Sequence, residues 1–276
     1  MFERINDAPR ADTYQMMTDA GRPPVMEFAA VDIQYGSGLT VIRDFNLRVD
    51  EGEIISLVGP SGVGKSTLMS AMAGLVPVTG GTIKCLGQTV QGVNRMVGYI
   101  TQRDTLLPWR TAAQNIELPL AIAGFVRKER AALVSEWIDI IGLQNFGNYY
   151  PAQLSGGMRQ RVALARTLIT SPRIVLLDEP FGALDAMLRI RLQQELLQIW
   201  QRDRPTMILV THDLSEAVAL SDRVIVMSGS PGRISRLETI DLDRPRDVPM
   251  LRFDVKFNQL CEDLWAALSG SGDTGK

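Results

Sequence analysis

The sequence predicts an α/β fold in which a largely parallel sheet is joined by an antiparallel β segment and by an inserted group of helices. Alternating apolar residues at 26–33 and 39–49 indicate an antiparallel hairpin. Apolar residues spaced by three and four between 111 and 141 indicate helices. Buried parallel strands are indicated by three apolar runs that lead into glycine or polar residues, at 54–58, 173–177 and 206–210.

The composition limits the classes of function. The 276 residues include 45% hydrophobic residues, enough to bury a core, and carry a net charge of −2. Proteins that bind DNA or RNA need a basic surface for the phosphates, so we expect no nucleic-acid partner. Two cysteines and no signal-peptide pattern indicate a reducing, cytosolic location. No apolar run approaches the ~18 residues that span a bilayer, so a membrane role would depend on a partner.

The N-terminal part begins with a polar extension and continues into the hairpin. Residues 1–25 mix charges, Asn and Pro, and we expect them to form a mobile extension. The two hairpin strands are joined by residues 34–38, and Tyr35 lies at this turn. Its ring could stack on an adenine or cap the local core, and its position in the sequence favours neither.

The rest of the chain is organised around a glycine-rich turn after the first apolar run. The turn fits the phosphate-binding loop pattern, because glycines let backbone N–H groups approach phosphate oxygens and the next helix adds its positive N-terminal end. Lys65 would reach the β- and γ-phosphates, and the Ser66 hydroxyl would ligate Mg²⁺. The candidate nucleotide-binding residues are Gly59, Pro60, Ser61, Gly62, Val63, Gly64, Lys65, Ser66 and Thr67.

Polar residues follow three further strands at the edge where a nucleotide would lie, namely the two later apolar runs above and a short buried strand predicted at 97–101. An amide at Gln102 can reach Mg²⁺ or the attacking water, although a lone glutamine after a strand is usually a surface residue. Asp178 suits Mg²⁺, and Glu179 suits polarising the water that attacks the γ-phosphate. His212, the chain's one histidine, can hydrogen-bond the γ-phosphate, although isolated histidines are more often structural.

A connector precedes the predicted helices at 111–123 and 127–141. It holds Leu106, Leu107 and Trp109 beside a proline. An aromatic residue and two leucines in a connector suit a docking surface. A satellite core cluster explains these three residues equally well.

A second anion site is predicted where a helix starts after Leu154. Ser155 is a favourable N-cap, the N–H groups of Gly156 and Gly157 are bare, and Gln160 lies in the same stretch. The helical insertion separates this site from the phosphate loop. We therefore expect two copies to pair head-to-tail, each contributing its Ser155 segment to the γ-phosphate held by the other. Ser-Gly-Gly taken alone would be an ordinary helix cap.

The C-terminal part continues the α/β pattern after His212. A helix is predicted at 214–220, a strand at 222–228 and an added antiparallel strand at 232–242. An amphipathic helix is predicted at 251–268.

These stretches resemble the nucleotide-binding subunits of ATP-binding cassette (ABC) transporters. The resemblance implies an α/β P-loop NTPase with a RecA-like core, an antiparallel β subdomain and an α-helical subdomain. The motifs that carry it stand in that family's order: Tyr35, 59–67, Gln102, 154–160, 176–179, 183–185 and His212. The implied division is an extension at 1–25, an ATPase domain at 26–245 made of a core (26–102 and 161–245) and a helical subdomain (103–160), and a helical tail at 246–276.

The resemblance also implies an ATPase cycle and its partners. A homodimer would hold two Mg-ATP molecules, with Tyr35 on adenine and Gln102, Glu179 and His212 around the γ-phosphate. Ser155 and Gly157 would act across the dimer, and Asp185 would couple the two sites. The surface of Leu106, Leu107 and Trp109 would receive a helix of an integral membrane permease. The chain would then lie peripherally at the cytoplasmic face of the inner membrane.

Flanking stretches are similar to the nitrate/sulfonate/taurine importer ATPases, namely 107–110, 181–186, 227–233 and 244–246. This similarity implies uptake of a small anionic solute that a solute-binding protein delivers. One alternative is a soluble ABC ATPase that acts as a mechanical clamp, although such proteins tend to carry long coiled-coil insertions or two cassettes. The other alternative is a kinase with the same phosphate-binding loop, but a kinase leaves Ser155 and His212 unexplained.

Overall fold

The computed structural model describes residues 24–36, 38–102, 105–182 and 184–270. The extension predicted at 1–25 lies outside the described residues except for Pro24 and Val25. The last six residues of the predicted tail and Ala183 of the predicted 183–185 motif also lie outside them.

Strands and helices alternate through most of the described chain. The strands are β1 (Met26–Tyr35), β2 (Leu39–Val49), β3 (Ile54–Val58), β4 (Gly80–Cys85), β5 (Gln88–Thr89), β6 (Val97–Ile100), β7 (Ile174–Asp178), β8 (Thr206–Val210), β9 (Arg223–Ser228) and β10 (Arg233–Thr239). The helices are α1 (Lys65–Met72), α2 (Ala112–Ile122), α3 (Arg127–Ile140), α4 (Gly156–Leu168), α5 (Ala186–Asp203), α6 (Leu214–Leu220), α7 (Val248–Leu251) and α8 (Val255–Gly270).

The first sheet is antiparallel and contains the predicted hairpin. Its strand order is β2-β1-β4-β5, and β1 pairs with β2 from Met26 opposite Val49 to Tyr35 opposite Leu39. Alternation along β1 and β2 buries one side of the hairpin, where the Phe28 and Phe45 rings meet edge to face at 5.4 Å. This side packs in a core that also contains the apolar residues of α1.

The second sheet positions the strand ends that carry the candidate site. Its order is β10-β9-β3-β8-β7-β6, with β10 antiparallel to β9 and the other neighbours parallel. Every residue of β3, β7 and β8 is buried, because both faces of a parallel sheet are covered. The carboxyl ends of these strands therefore meet at one edge.

The helical group between β6 and β7 packs onto the sheet through α4. Helix α2 begins with a capping box in which Thr111 and Gln114 satisfy each other's backbone N–H groups. Helix α4 contacts both α2 and β6, and the predicted subdomain boundary between residues 160 and 161 falls inside α4. One continuous helix thus joins the helical group to the sheet.

The C-terminal tail folds back onto α6 and β9. Helix α8 begins at Val255 instead of the predicted 251, because the Asp254 carboxylate accepts the Phe257 N–H at 2.9 Å and caps the helix there. Phe257 and Leu264 are buried in the main core. Among the helices described between residues 24 and 270, none combines the length and the hydropathy needed to cross a membrane.

A buried arginine anchors this tail. Arg246 is 3% exposed, and its Nη1 donates to the carbonyl oxygens of Val218, Ala219 and Ser221 at 3.1, 3.1 and 2.7 Å. Its Nη2 donates to two more carbonyls, those of Ile240 and Leu242. Burial, with nearby Arg244, lowers the pKa of Arg246 to about 10, so the guanidinium stays charged at neutral pH. It therefore supplies the C-terminal carbonyls of α6 with a cation.

We predict that Arg246→Met destabilises the protein. The substitution removes a donor group shared by five buried carbonyls, so the free energy of unfolding should fall by about 2–4 kcal/mol in urea titrations. Arg252→Met, at an exposed position of the same tail, should change it by less than about 0.5 kcal/mol. Equal losses for the two variants would contradict the anchoring role.

Candidate functional site

The glycine-rich loop runs from the end of β3 to the start of α1. Gly64 is the N-cap of α1 and has a φ of +108°. A Cβ there would lie 2.5 Å from Ile42 Cδ1, and a Cβ on Gly59 would lie 2.5 Å from the Met227 carbonyl oxygen. Only glycine fits these two positions, because the loop lies tightly between β2 and β9. The N–H groups at the start of α1 then remain available to an anion.

Lys65 lies across this loop. Its side chain is buried, and Nζ donates to the carbonyl oxygens of Gly59 at 2.8 Å and Pro60 at 3.0 Å. Burial lowers the pKa of Lys65, and the nearby Glu179 and Asp178 oppose this shift. A phosphate group at the loop would add negative charge and stabilise the ammonium further.

Ser66 and Asp178 form a pair of oxygen ligands beside the loop. The Ser66 hydroxyl donates to Asp178 Oδ1 at 3.2 Å. Burial raises the pKa of Asp178, and the Ser66 hydrogen bond counters this. A hydroxyl and a carboxylate fit Mg²⁺, which prefers hard oxygen ligands. Among the described residues, no three His, Cys, Asp or Glu side chains could hold a metal by themselves, so phosphate oxygens and waters would complete the coordination.

Three strand ends converge on Glu179. Gln102, which follows β6, donates through Nε2 to Glu179 Oε2 at 3.1 Å. Nδ1 of His212, which follows β8, lies 3.7 Å from Glu179 Oε1, beyond hydrogen-bond length. Glu179 itself has a φ of +50°, a costly backbone conformation for a residue with a side chain, and its N–H is held by the Val210 carbonyl at 2.9 Å.

One cavity of about 260 Å³ gathers most of the predicted nucleotide-binding residues. Its lining consists of Val41, Ser61, Gly62, Gly64, Lys65, Ser66, Thr67, Gln102 and Glu179. The sequence did not single out Val41, which is on β2. Tyr35 is not in this lining, but it is 44% exposed and lies opposite Leu39 at the tip of the same hairpin. A larger cavity of about 460 Å³ between α6 and α8 includes His212 but no residue of the phosphate loop, so we place the site at the smaller one.

The Ser155 segment lies apart from this cavity. Ser155 caps α4 by accepting the Met158 N–H at 3.3 Å, and neither it nor the two glycines after it line the cavity of Lys65. Ser155 and Gly156 are exposed. Gln160 is 5% exposed. It lies five residues after Ser155, and the rotation of α4 over this distance points its side chain toward the core. Gln160, part of the stretch predicted to act on a second copy, is therefore buried in its own chain, whereas Ser155 and Gly156 are accessible.

Asp185 lies at the start of α5. Its carboxylate caps the helix by accepting the Leu188 N–H at 3.0 Å, and the residue is exposed. An exposed carboxylate at this position is accessible to a second copy of the chain.

The connector before α2 divides into a buried and an exposed part. Leu106 is 8% exposed and packs in the main core, so its predicted place on a docking surface is wrong. The burial of Leu106 agrees with the alternative interpretation, in which this residue belongs to a core cluster. Leu107 is partly buried, and Trp109 is 70% exposed. Trp109 alone of the three presents a large apolar surface to solvent.

A buried amide that the sequence analysis missed holds this connector. Asn115 is fully buried on α2, and its Oδ1 accepts the Leu107 N–H at 2.8 Å. Its Nδ2 donates to the Leu107 and Arg110 carbonyls at 3.2 and 3.0 Å. The sequence contained one signal for this role, because Asn115 is a polar residue on the apolar stripe of α2. Two exposed tyrosines lie next to this connector, Tyr149 and Tyr150, and the Tyr149 carbonyl accepts the Ala112 N–H.

The residues after His212 include a buried carboxyl group. Glu216 on α6 is 4% exposed, and its Oε2 accepts a hydrogen bond from Gln193 Nε2 at 3.3 Å. Burial, and then the charge of Asp213, raise the pKa of Glu216 to about 8. Glu216 is therefore largely protonated at neutral pH.

Comparisons with known proteins relate this chain to a family and to a known fold. The family model described as "ABC transporter" matches residues 42–182. A nitrate import ATP-binding protein of Synechocystis is 44% identical over 214 residues, or 78% of this chain and 80% of that protein. An aliphatic sulfonates import ATP-binding protein of Bacillus cereus is 42% identical over 206 residues, 75% of this chain and 81% of that protein. A solved structure of a dimeric ATP-binding cassette, in a post-hydrolysis state with ADP and Pi, is 31% identical with a TM-score of 0.72. The match covers 79% of this chain and 100% of that chain.

We predict that Glu216→Gln flattens the pH dependence of stability. The folded-state pKa of about 8 is above the ordinary value of 4.5, so the folded protein binds the proton more tightly than the unfolded chain. The stability that the folded protein gains from this proton is fully present below about pH 4.5 and is lost as the pH rises to about 8. Over this range the free energy of unfolding falls by up to about 1.4 kcal/mol per pH unit. Urea titrations from pH 5 to about 8 measure the slope.

The matched control is Glu262→Gln, which removes an exposed carboxylate from neighbouring α8. It should keep the wild-type slope. A wild-type slope in Glu216→Gln would contradict the assignment of a buried, protonated carboxyl group at residue 216.

Proposed function

The chain belongs to the ABC transporter ATP-binding family and is an ATPase, and we propose that it energises import of a small anionic solute through a separate membrane permease. The structural observation that carries the ATPase part of this proposal is the convergence of Gln102 and His212 on Glu179, beside the phosphate loop. The nitrate and sulfonate relatives support import and an anionic cargo. A solute-binding protein would deliver that cargo.

Glu179 is the proposed base for hydrolysis of ATP. Its carboxylate would accept a proton from the water that attacks the γ-phosphate. The Gln102 amide orients this carboxylate at 3.1 Å, and the exposed His212 ring can donate to the γ-phosphate. Lys65 would exchange its two carbonyl acceptors for phosphate oxygens. Tyr35 would stack on the adenine from the hairpin tip.

Mg²⁺ is the proposed metal. Ser66, Asp178 and the amide oxygen of Gln102 would hold it, and the chemistry that it supplies when bound is neutralisation of charge between the β- and γ-phosphates. Asp178 is 3% exposed, and a cation beside it would favour its ionised form.

The active unit is proposed to be a head-to-tail homodimer. Ser155, Gly156 and Gly157 lie at a helix start outside their own chain's cavity, where their N–H groups suit the γ-phosphate of a second copy. Asp185, exposed at the start of α5, would couple the two sites. The related cassette structure is a dimer, which supports this arrangement.

The permease is proposed to bind at the connector before α2, with the chain lying peripherally at the cytoplasmic face of the membrane. Trp109 would be the central contact, with Leu107 beside it and Tyr149 and Tyr150 at the margin. Tryptophan and tyrosine are enriched in interface hot spots. The Asn115 hydrogen bonds fix the connector backbone before a partner arrives.

We predict that Glu179→Gln reduces ATP hydrolysis about 100-fold or more, because a positioned general base is lost. Equilibrium binding of ATP should be preserved, since glutamine keeps the shape and can still accept the Gln102 hydrogen bond. Phosphate release by purified protein measures the rate. Glu51→Gln, an exposed carboxylate just before β3, should hydrolyse ATP normally. Wild-type hydrolysis by Glu179→Gln would refute the assigned base.

We predict that Trp109→Ala weakens recovery of a multi-span permease from detergent-solubilised membranes. Loss of an exposed aromatic anchor should lower affinity by about 1.4 kcal/mol or more, which is at least about tenfold. Pull-downs with the tagged chain, analysed by mass, measure it. Trp265→Ala is the matched control, because Trp265 is equally exposed (67%, against 70% for Trp109) but lies on α8. Recovery of soluble partners alone would refute the transport role and leave the ATPase intact.

A further inference from the structure

We propose that Arg189 is a positioning residue for ATP hydrolysis, whose guanidinium fixes the separation of Glu179 and His212 by holding the chain segments that follow them. The inference rests on the roles proposed above for Glu179 and His212. It assigns a function to a side chain that touches neither nucleotide nor base.

Arg189 is in an unfavourable position for its own helix. It is the fourth residue of α5, and the first turn of α5 contains no acidic residue. The N-terminal end of a helix carries partial positive charge, so a cation there is destabilising. The contacts that compensate Arg189 must therefore come from outside α5.

The guanidinium joins two segments of the chain. Nη1 donates to Asp213 Oδ2 at 3.2 Å, and Nη2 donates to the Leu184 carbonyl at 3.2 Å. The Arg189 and Asp213 side chains are 30% and 29% exposed, so the pair is largely shielded from solvent. Arginine suits this geometry because its donors lie in one rigid plane, which a lysine cannot reproduce.

The Leu184 contact fixes the segment that follows Glu179. In this segment the Gly182 N–H donates to the Glu179 carbonyl, and the Leu184 N–H donates to the Phe181 carbonyl, both at 3.2 Å. Leu184 is buried. A hydrogen bond to its carbonyl therefore restrains the backbone that carries Glu179.

The Asp213 contact fixes the segment that contains His212. Asp213 is the next residue after His212, and its Oδ1 accepts the N–H groups of Ser215 and Glu216 at the start of α6. Burial would raise the pKa of Asp213, but the hydrogen bonds from Ser215 and Glu216 and the charge of Arg189 hold it below its ordinary value. Asp213 is thus a carboxylate that anchors His212 both to α6 and to Arg189.

A second link between α5 and α6 reinforces the first. Gln193, one turn after Arg189, donates to the buried Glu216, one turn after Asp213. The two helices are therefore joined at two successive turns. Glu179 and His212, which approach to 3.7 Å without a hydrogen bond between them, depend on this backbone for their spacing. A shift of about 1 Å at reacting groups can cost roughly 100-fold in rate.

The first test compares Arg189→Met, Arg189→Lys and Arg191→Met. Arg191 is the matched control, because it lies on α5 and pairs with Glu195 of the same helix. We expect kcat to fall about 10- to 100-fold in Arg189→Met and less in Arg189→Lys, which keeps the charge but not both hydrogen bonds. Arg191→Met should retain the wild-type kcat. The Kd for ATP should stay within about twofold in all three.

The second test is a double-mutant cycle with His212→Ala. If Arg189 acts by placing His212, Arg189→Met should reduce kcat little further when His212 is already absent. Multiplicative losses in the double variant, a parallel rise in the Kd for ATP, or an equal loss in Arg191→Met would overturn the inference. Wild-type kcat in His212→Ala alone would instead refute the proposed role of His212, and this inference with it.

Discussion

The structure depends on the complete burial of three neighbouring parallel strands. No residue of β3, β7 or β8 is accessible, so these strands carry almost no polar side chains, and the polar groups stand where the strands end. Parallel pairing brings these ends to one edge. The phosphate loop, Asp178 with Glu179, and His212 are neighbours for this reason, although more than 100 residues separate the first from the last in the sequence.

Local patterns were sufficient to predict the parts of the fold and site that local chemistry determines. The phosphate loop, the Ser155 cap and the carboxylates after β7 need only a short stretch of chain and its strand or helix. The hairpin and the order of strands and helices are confirmed for the same reason. The sequence could not predict the side of α4 or of the connector that packs inward, because that depends on residues far along the chain. Leu106 was misplaced, and the burial of Gln160 was not foreseen, for this reason.

Hydrogen bonds from side chains to distant backbone carbonyls were also beyond sequence reasoning. Arg246 and Arg189 look like ordinary surface residues in the sequence, and Asn115 differs only by its place on an apolar stripe, but each satisfies backbone carbonyls brought together by the fold. A buried backbone carbonyl without a partner costs free energy, and loops and helix ends contain many of them. Side chains with several donors satisfy such carbonyls at three different places in the chain.

Such hydrogen bonds matter most at the edge of the parallel sheet where catalysis is proposed. Strand ends are fixed by the sheet, but the residues just beyond them belong to turns, where the sheet supplies few hydrogen bonds. Glu179 and His212 are such residues, and their backbones are restrained from the far side by α5 and α6. Because Asp185 caps α5, a movement of the segment before α5 would reach both the proposed dimer interface and the Glu179–His212 spacing. In the proposed dimer, the same helix pair would both stabilise one site and report its state to the second copy.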